Sequence, residues 1–459
     1  MPVNQLQKSL WLSLMAIAAL LLTALLPAIH LGSYTLKKVD LLADIKADAP
    51  VMAGLLFADS IAFDPARDSV IEVIPEAPKD PYPCPNGNCL EDFSPDKSTL
   101  KSFFRALKQA NRKQVRIAFY GDSFIEGDVL CGSFRDTLQA LYGGRGVGFV
   151  PIASEVAQYR TSIQHTYSNW EGYSIVGKQS AEVPLGISGH AFVPAPENEA
   201  EFKPARKPAK QKFDNISLFY KSAAETMLHY VVNDTLEVND TLPATDHLNR
   251  FILKSPAAAS VKLSFTSPDS VVAYGLSFDT KTGVYVDNLA MRGNSGIGLY
   301  AIDTTQLKQF NQYLDYKLIL LQYGLNVVTE TDSTDYTWYE TRMVRVVNRL
   351  KQIFPNTAIV LIGISDRAGN LNGKIQTIPA IARMRKAQRK IAQRTQIAYW
   401  DLYTAMGGEN SIVKFAEAKP PLAAKDFTHL TFLGGRRLAK KLTDALLFEQ
   451  TRYDKKPDS

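Results

Sequence analysis

Cysteine is scarce in this chain: 459 residues carry 3, too few for a disulfide-built scaffold. An excess of one charge is also lacking. Lys and Arg number 52 against 46 Asp and Glu, a formal net charge of +6, which gives no footing to nucleic-acid binding as the main role. Several motifs are missing: there is no G-x-S-x-G elbow, no Walker loop, no H-E-x-x-H and no G-x-G-x-x-G. Nothing calls for a metal or an organic cofactor. Hydrophobic residues make up 46% and charged residues 21%, an ordinary globular profile that excludes wholesale disorder, collagen and coiled coil. A chain this long buries roughly three quarters of its unfolded surface and needs neither disulfides nor metal to fold. At about 150 residues per domain, three structural units are expected.

The apolar residues are unevenly spread. From Leu10 to Leu31 no charged residue occurs. As a helix this run would span roughly 33 Å, enough for a bilayer core of about 30 Å. Its length and the poor exit at Pro27-Ala28-Ile29-His30 favour an uncleaved signal anchor over a cleaved signal peptide. Lys8 lies on one side and Lys37 and Lys38 on the other, so the positive-inside rule does not orient it. Cys84-Pro-Asn-Gly-Asn-Cys89 sets two thiols about an Asn-Gly turn signal. A small disulfide loop, a zinc half-site and two reduced surface thiols are the readings, and the first favours an oxidising space outside the cytoplasmic membrane. Cys131 is expected to pack as a small apolar residue in a helix.

Residues 1–39 thus read as a signal anchor and 40–95, rich in Pro, Asp and Ala, as a stalk or collar. Periodicity predicts helices near 98–111 and 127–142 around a strand at Val115–Tyr120. From 155 to 290 the pattern changes to short alternating runs such as Val261–Phe265 and Gly283–Val286, separated by turn signals. This is the pattern of an inserted all-β sandwich. Within it, Pro194 to Lys212 reads as a solvated loop. Strand and helix alternate again after 291: apolar strands at 316–323, 358–363 and 397–400, helices near 336–353, 378–394 and 432–449. The fold expected is α/β, a three-layer doubly wound parallel sheet in two parts, 96–154 and 291–459, split by the sandwich and preceded by a membrane helix.

Four segments sit at or beyond C-terminal strand ends, where open α/β sheets build their sites. Gly121-Asp122-Ser123 lies at a strand-to-helix turn, with the Ser amide expected at a helix N-terminus. Taken alone it reads equally as a helix cap. Asp426-Phe-Thr-His429 puts an acid and an imidazole on one face of a turn, so the carboxylate can fix the tautomer and leave the other nitrogen as a base. A Ser hydroxyl needs such a base to become nucleophilic. By itself the pair is equally a surface ion pair. His30 lies in the apolar segment, and His165, His190, His229 and His247 fall in the β insertion. Asn326, after Gly324-Leu325, can aim its amide at a developing oxyanion, and Gly293 lets a backbone N–H approach the same oxygen.

The order Ser, Gly, Asn, Asp-x-x-His resembles the four sequence blocks of the SGNH/GDSL hydrolase family, over about 115–448. The resemblance implies a flavodoxin-like three-layer fold, Ser123 as nucleophile, His429 as general base with Asp426 as its partner, and an oxyanion hole of Gly293, Asn326 and the Ser123 amide. Tyr120-Gly-Asp-Ser-Phe-Ile-Glu-Gly-Asp128, a helix, and Gly144-Arg-Gly-Val-Gly-Phe-Val-Pro151 resemble the nucleophile region of bacterial peptidoglycan O-acetylesterases. That group also carries a carbohydrate-binding-module-like β-sandwich where this chain has its insertion. Phe124 departs from the polar residue common after the nucleophile, and Val327 replaces the usual acid after the Asn.

The resemblance implies a membrane-anchored, periplasmic esterase of the bacterial envelope, secreted if the leader is cleaved, acting on acetylated peptidoglycan or another envelope polysaccharide. Two alternatives use the same residues or the same fold. One is an O-acetyltransferase beside a membrane-bound O-acyltransferase; the other is a non-catalytic glycan-binding protein. Gly143–Gly148 reads as a flexible surface turn. The run Arg383, Arg385, Lys386, Arg389, Lys390 and Arg394 reads as a solvated helix face, and Trp170 and Tyr173 as core.

Overall fold

The computed structural model describes residues 30–31, 34–35, 84, 87–204, 213–255, 258–266, 270–330 and 334–455. The chain divides into two units, Met1–Ala53 and Gly54–Ser459. In the first, His30–Leu31 pairs antiparallel with Tyr34–Thr35. The expected membrane helix lies outside the described residues apart from its last two, which are extended instead of helical. Among the described residues no helix is long and apolar enough to cross a membrane. Most of the expected stalk also lies outside them.

The second unit is built on a six-stranded sheet. Gly283–Asn288, Gln114–Gly121, Tyr316–Gln322, Ala358–Ile362 and Ala398–Trp400 run parallel in that spatial order. In chain order this is 2-1-3-4-5, the flavodoxin-like doubly wound arrangement expected. All five residues of Ala358–Ile362 are buried, as a strand covered on both faces by helices requires. Leu90–Asp92 closes the sheet as an antiparallel edge beside Ala398–Trp400. The expected stalk therefore ends earlier than residue 95. Cys84 and Cys89 form a disulfide with a Cα–Cα distance of 5.7 Å. Within its loop Asn88 donates to the Lys441 carbonyl and accepts from Trp400 Nε1, tying the edge strand to the last helix.

The β insertion is a single nine-stranded sheet, barrel-like around its own core, where a two-sheet sandwich was expected. His190–Pro204, 15 residues long, joins its halves. One edge pairs with Ile163–Ser174 along its length, and the other with Val271–Asp279 and then Val261–Phe265. Much of the loop expected over 194–212 is thus strand; 205–212 lie outside the described residues. Two boundaries also move. Gly148–Pro151 pairs with Val271–Asp279 in the β body, and Gly283–Asn288, expected in the insertion, is a parallel strand of the α/β sheet. Short alternating runs look alike in either sheet, and only the pairing partner separates them.

A buried ion cluster welds the two sheets. Arg116 Nη1 reaches Asp287 at 2.9 Å and Nη2 reaches Asp279 at 2.5 Å. Asp287 also accepts from the Phe149 amide and the Tyr316 hydroxyl. The glycine-rich turn is exposed at Gly143 and Arg145 but packed from Gly146 to Gly148, where a Cβ on Gly146 would lie 2.2 Å from the Phe278 carbonyl oxygen. On the basic helix Ala380–Thr395, Arg385 pairs with Asp401, Arg389 with Glu91, and Arg394 with Glu340. Internal partners take up much of the charge assigned to a solvated face. Trp170 donates to the Glu199 carbonyl and meets Phe265 edge-on, while Tyr173 is buried. Cys131 is buried at the first residue of the helix Cys131–Tyr142.

Candidate active site

Ser123 leaves the sheet at its topological switch point, between the first and third parallel strands, where crevices of open α/β sheets form. It sits in a single turn, with the Ile125 and Glu126 amides both donating to the Asp122 carbonyl. The following helix begins only at Cys131, so the expected helix N-terminus at Ser123 is an isolated turn. Gly127 and Asp128 adopt φ of 72° and 64°, and these two left-handed residues interrupt a continuous helix.

Asp426 and His429 come from a loop closed by an Ala423–Leu430 bridge and by the Ala424 amide donating to the His429 carbonyl. Asp426 Oδ1 accepts from the Thr428 and His429 amides, both at 3.0 Å. That leaves Oδ2 to accept from His429 Nδ1 at 2.7 Å. An ionised carboxylate only accepts, so Nδ1 carries the proton and Nε2 faces Ser123 Oγ, 3.0 Å away, as an acceptor. Partial burial alone would raise the Asp426 carboxyl. The hydrogen bonds from His429 and from the two amides outweigh that and hold it at about 2. The same hydrogen bond, donated to Asp426, is the main influence raising His429 above its ordinary value, against burial and the Arg292 charge.

Gly293 and Asn326 reach the same end of the sheet. The Leu289 and Met291 amides donate to the Phe119 and Gly121 carbonyls, extending the parallel pairing past Asn288 and laying the Gly293 loop beside Ser123. A Cβ built on Gly293 would meet nothing within 4 Å. Asn326 donates one N–H to the Asn294 carbonyl at 3.2 Å, which leaves its second N–H for another acceptor. All five residues singled out in the sequence therefore gather at one end of the sheet. The other histidines lie elsewhere: His165 stacks on Phe202, His229 pairs with Glu237 and His247 with Asp246. Burial pushes both His165 and His190 down to about 4.

Several supporting residues went unnoticed in the sequence. Gly434 and Gly435 open the last helix. A Cβ on either would lie 1.9 Å from a carbonyl oxygen, that of Leu422 or Val129 respectively. The helix thus packs directly on both the His429 loop and the segment after Ser123, and the Gly-Gly pair was the visible signal. Asp128 is fully buried and accepts from Arg160 at 3.1 Å, Asn288 at 3.0 Å and Ser162. Burial opposes its ionisation, yet Arg160 and Arg135 hold it far below the usual carboxylate range. It joins the Ser123 turn, the approach to Gly293 and the β body. Asp122, wholly buried, accepts from the Phe124 amide at 3.0 Å through Oδ1. Its Oδ2 has no hydrogen-bond partner among the described residues, and burial pushes the carboxyl up to about 7. Gln388 bridges the Tyr323 carbonyl and the Ile364 amide, fixing the strand exit that carries Asn326.

No family model matches the chain, nor does any curated protein. Among solved structures, a peptidoglycan O-acetylesterase superposes with a TM-score of 0.65 at 21% identity, covering 79% of this chain and 99% of its own. The chain has the SGNH/GDSL hydrolase fold. A family two carbohydrate esterase from Cellvibrio japonicus (TM-score 0.27, 12% identity, 64% of this chain and 99% of that one) is a more distant likeness. So is an acetyl xylan esterase (0.28, 17%, 36% and 81%). Neither adds to the fold assignment. The five residues gather at the carboxyl ends of the parallel strands, and the β body meets that sheet through Arg116.

Proposed function

We propose that this chain is a serine esterase that removes O-acetyl groups from a cell-envelope glycan, peptidoglycan first among them, through an acyl-serine intermediate. The observation that carries the reading is the unbroken relay from Ser123 Oγ to His429 Nε2 and from His429 Nδ1 to Asp426, at 3.0 and 2.7 Å. Ser123 attacks the acetyl carbonyl carbon while Nε2 takes its proton. The developing oxyanion is held by the N–H groups of Gly293 and Ser123 and the free N–H of Asn326. Collapse breaks the bond to the sugar oxygen, which receives the proton from His429. Water then attacks the acetyl-serine, His429 takes its proton, and acetate leaves as Ser123 is restored.

The likeness to a peptidoglycan O-acetylesterase supports the choice of polymer. We assign the protein to the bacterial envelope outside the cytoplasmic membrane, anchored through the 10–31 segment or secreted after its cleavage. The Cys84–Cys89 disulfide supports an oxidising compartment. The full chain should release acetate from O-acetylated peptidoglycan and from an aryl acetate, and Ser123→Ala should lower both by roughly 10³-fold or more. Undiminished activity in Ser123→Ala would refute the site. Acetyl transfer to an added oligosaccharide with no acetate released would replace hydrolysis by transfer, the role that calls for a membrane-bound O-acyltransferase partner.

A further inference from the structure

Arg367 takes part in none of these steps, yet it holds the loop that supplies one of them. It follows the strand Ala358–Ile362 and stands at the base of the hairpin of Ala368–Leu371 and Lys374–Thr377. Its Nη1 donates to the Leu325 carbonyl at 3.4 Å and to the Val328 carbonyl at 3.2 Å. These carbonyls bracket Asn326, one directly before it and one two residues beyond. The next residue reaches the other loop: the Ala368 amide donates to the carbonyl of Phe427 at 3.1 Å, between Asp426 and His429. The dipeptide Arg367-Ala368 therefore grips the oxyanion loop with its side chain and the base loop with its backbone.

The dipeptide is itself firmly placed. Asp366, fully buried, accepts from the Thr377 hydroxyl at 2.8 Å, the Ile412 amide at 2.9 Å and the Ser411 hydroxyl at 3.3 Å. The Ile378 amide donates to the Arg367 carbonyl at 3.1 Å and closes the base of the hairpin. The Asn326 loop, by contrast, needs an outside tie. The Val327 amide donates to the Gly324 carbonyl at 3.0 Å, so Asn326 sits in one tight turn. That turn is entered through a glycine at φ 121°, a residue with wide backbone freedom. A peptide unit is planar, so fixing the Leu325 carbonyl fixes the plane from which the Asn326 Cα departs. A charged donor makes that hold stronger than a neutral one would. Asn326 already spends one N–H on the Asn294 carbonyl at 3.2 Å, and the two ties together aim the second.

Resting on the esterase reading, we infer that Arg367 is a positioning residue. It acts through Asn326, keeping that turn in register with the Asp426–His429 loop so that the free Asn326 N–H meets the oxyanion as His429 moves the proton.

A double-mutant cycle on the full chain with an aryl acetate tests it. Arg367→Met keeps an unbranched apolar stem and removes the donors. It should lower kcat about 10- to 100-fold with KM little changed, as a misplacement of about 1 Å in a catalytic group does. In the Asn326→Ala enzyme, which has no side-chain N–H left to aim, the same substitution should change kcat less than about twofold. The acid midpoint of the pH profile belongs to His429 and should not move. Arg367→Lys keeps a charged donor for the same carbonyls and should recover much of the loss. Its smaller loss should also vanish in Asn326→Ala, so the cycle stands even if Arg367→Met folds poorly. Equal fold losses with and without the Asn326 amide would overturn the inference, as would a wild-type kcat in Arg367→Met. A shifted acid midpoint would overturn it too, because the effect would then lie with the base. The esterase reading itself fails separately, if Ser123→Ala still cleaves the aryl acetate at the wild-type rate.

Discussion

Asp426→Asn isolates what the carboxylate does for His429. Oδ1 is pinned by two backbone amides, each at 3.0 Å, while Oδ2 faces His429 Nδ1 at 2.7 Å. An asparagine here must keep its carbonyl oxygen toward the two amides, since its NH2 group cannot accept from them. The NH2 group then points at Nδ1, and two donors cannot face each other. The imidazole answers by moving its proton to Nε2, the nitrogen 3.0 Å from Ser123. Nε2 can then no longer take the serine proton, and the base is lost without loss of packing. The expected fall in kcat is of order 10⁴, or about 5 kcal/mol in the barrier, with KM little changed. Asp426→Ala removes the carboxylate without imposing a tautomer, so it should be no worse than Asp426→Asn despite being the larger truncation. Its pH profile adds a second check. The Asp426 hydrogen bond is the main cause of the raised His429 pKa, and neutral imidazole is the active form. In the wild type, activity should fall with decreasing pH through a midpoint above the usual value of about 6.5. Without the carboxylate, burial is the largest remaining influence and pushes downward, joined by Arg292 and opposed by the Asp122 charge, so the acid limb of Asp426→Ala should move to lower pH. Stopped-flow or steady-state hydrolysis of an aryl acetate between pH 5 and 9 measures both effects. An Asp426→Asn enzyme keeping more than about a tenth of the wild-type kcat would refute the tautomer argument.

Asn326→Ala should lower kcat by about 10²- to 10³-fold with little change in KM, because the lost N–H matters mainly when the oxyanion forms; steady-state kinetics on an aryl acetate reads it. Gly435→Ala sets a methyl group 1.9 Å from the Val129 carbonyl oxygen, so the last helix must move off the nucleophile segment. A loss of about 1–3 kcal/mol in denaturant unfolding is expected, together with reduced kcat, and a stable, fully active variant would contradict the close packing. Asp128→Asn leaves Arg160 and Arg135 without their buried anion and should destabilise by about 3–5 kcal/mol, read as a large drop in Tm. Unchanged stability would show that these side chains find other partners.

The five crevice residues were legible in the sequence because each chemical role demands a residue type at a strand end. Ser before a turn, Asp three residues before His, and Asn and Gly after apolar strands are local patterns that survive without knowledge of the fold. The parallel sheet was legible for a related reason: burial on both faces makes Ala358–Ile362 continuously apolar and Tyr316–Gln322 nearly so. Gly283–Asn288 and Gly148–Pro151 fell on the wrong sides of the domain boundaries because strands of four to six residues carry no record of their neighbour. The supporting residues were hidden for the same reason. Asp128 gathers Arg160, Ser162 and Asn288 across separations of 32, 34 and 160 residues, and Arg292 finds Glu126 across 166. The sequence by itself determined the fold class and the residue types that meet beyond the strand ends, since both follow from periodicity and local pattern. Tertiary structure alone decided how the β body is welded to the sheet, how Gly434 and Gly435 seat the His429 loop, and that Glu126 anchors Arg292. These depend on long-range pairings of buried charge and backbone contact, which leave no periodic trace along the chain.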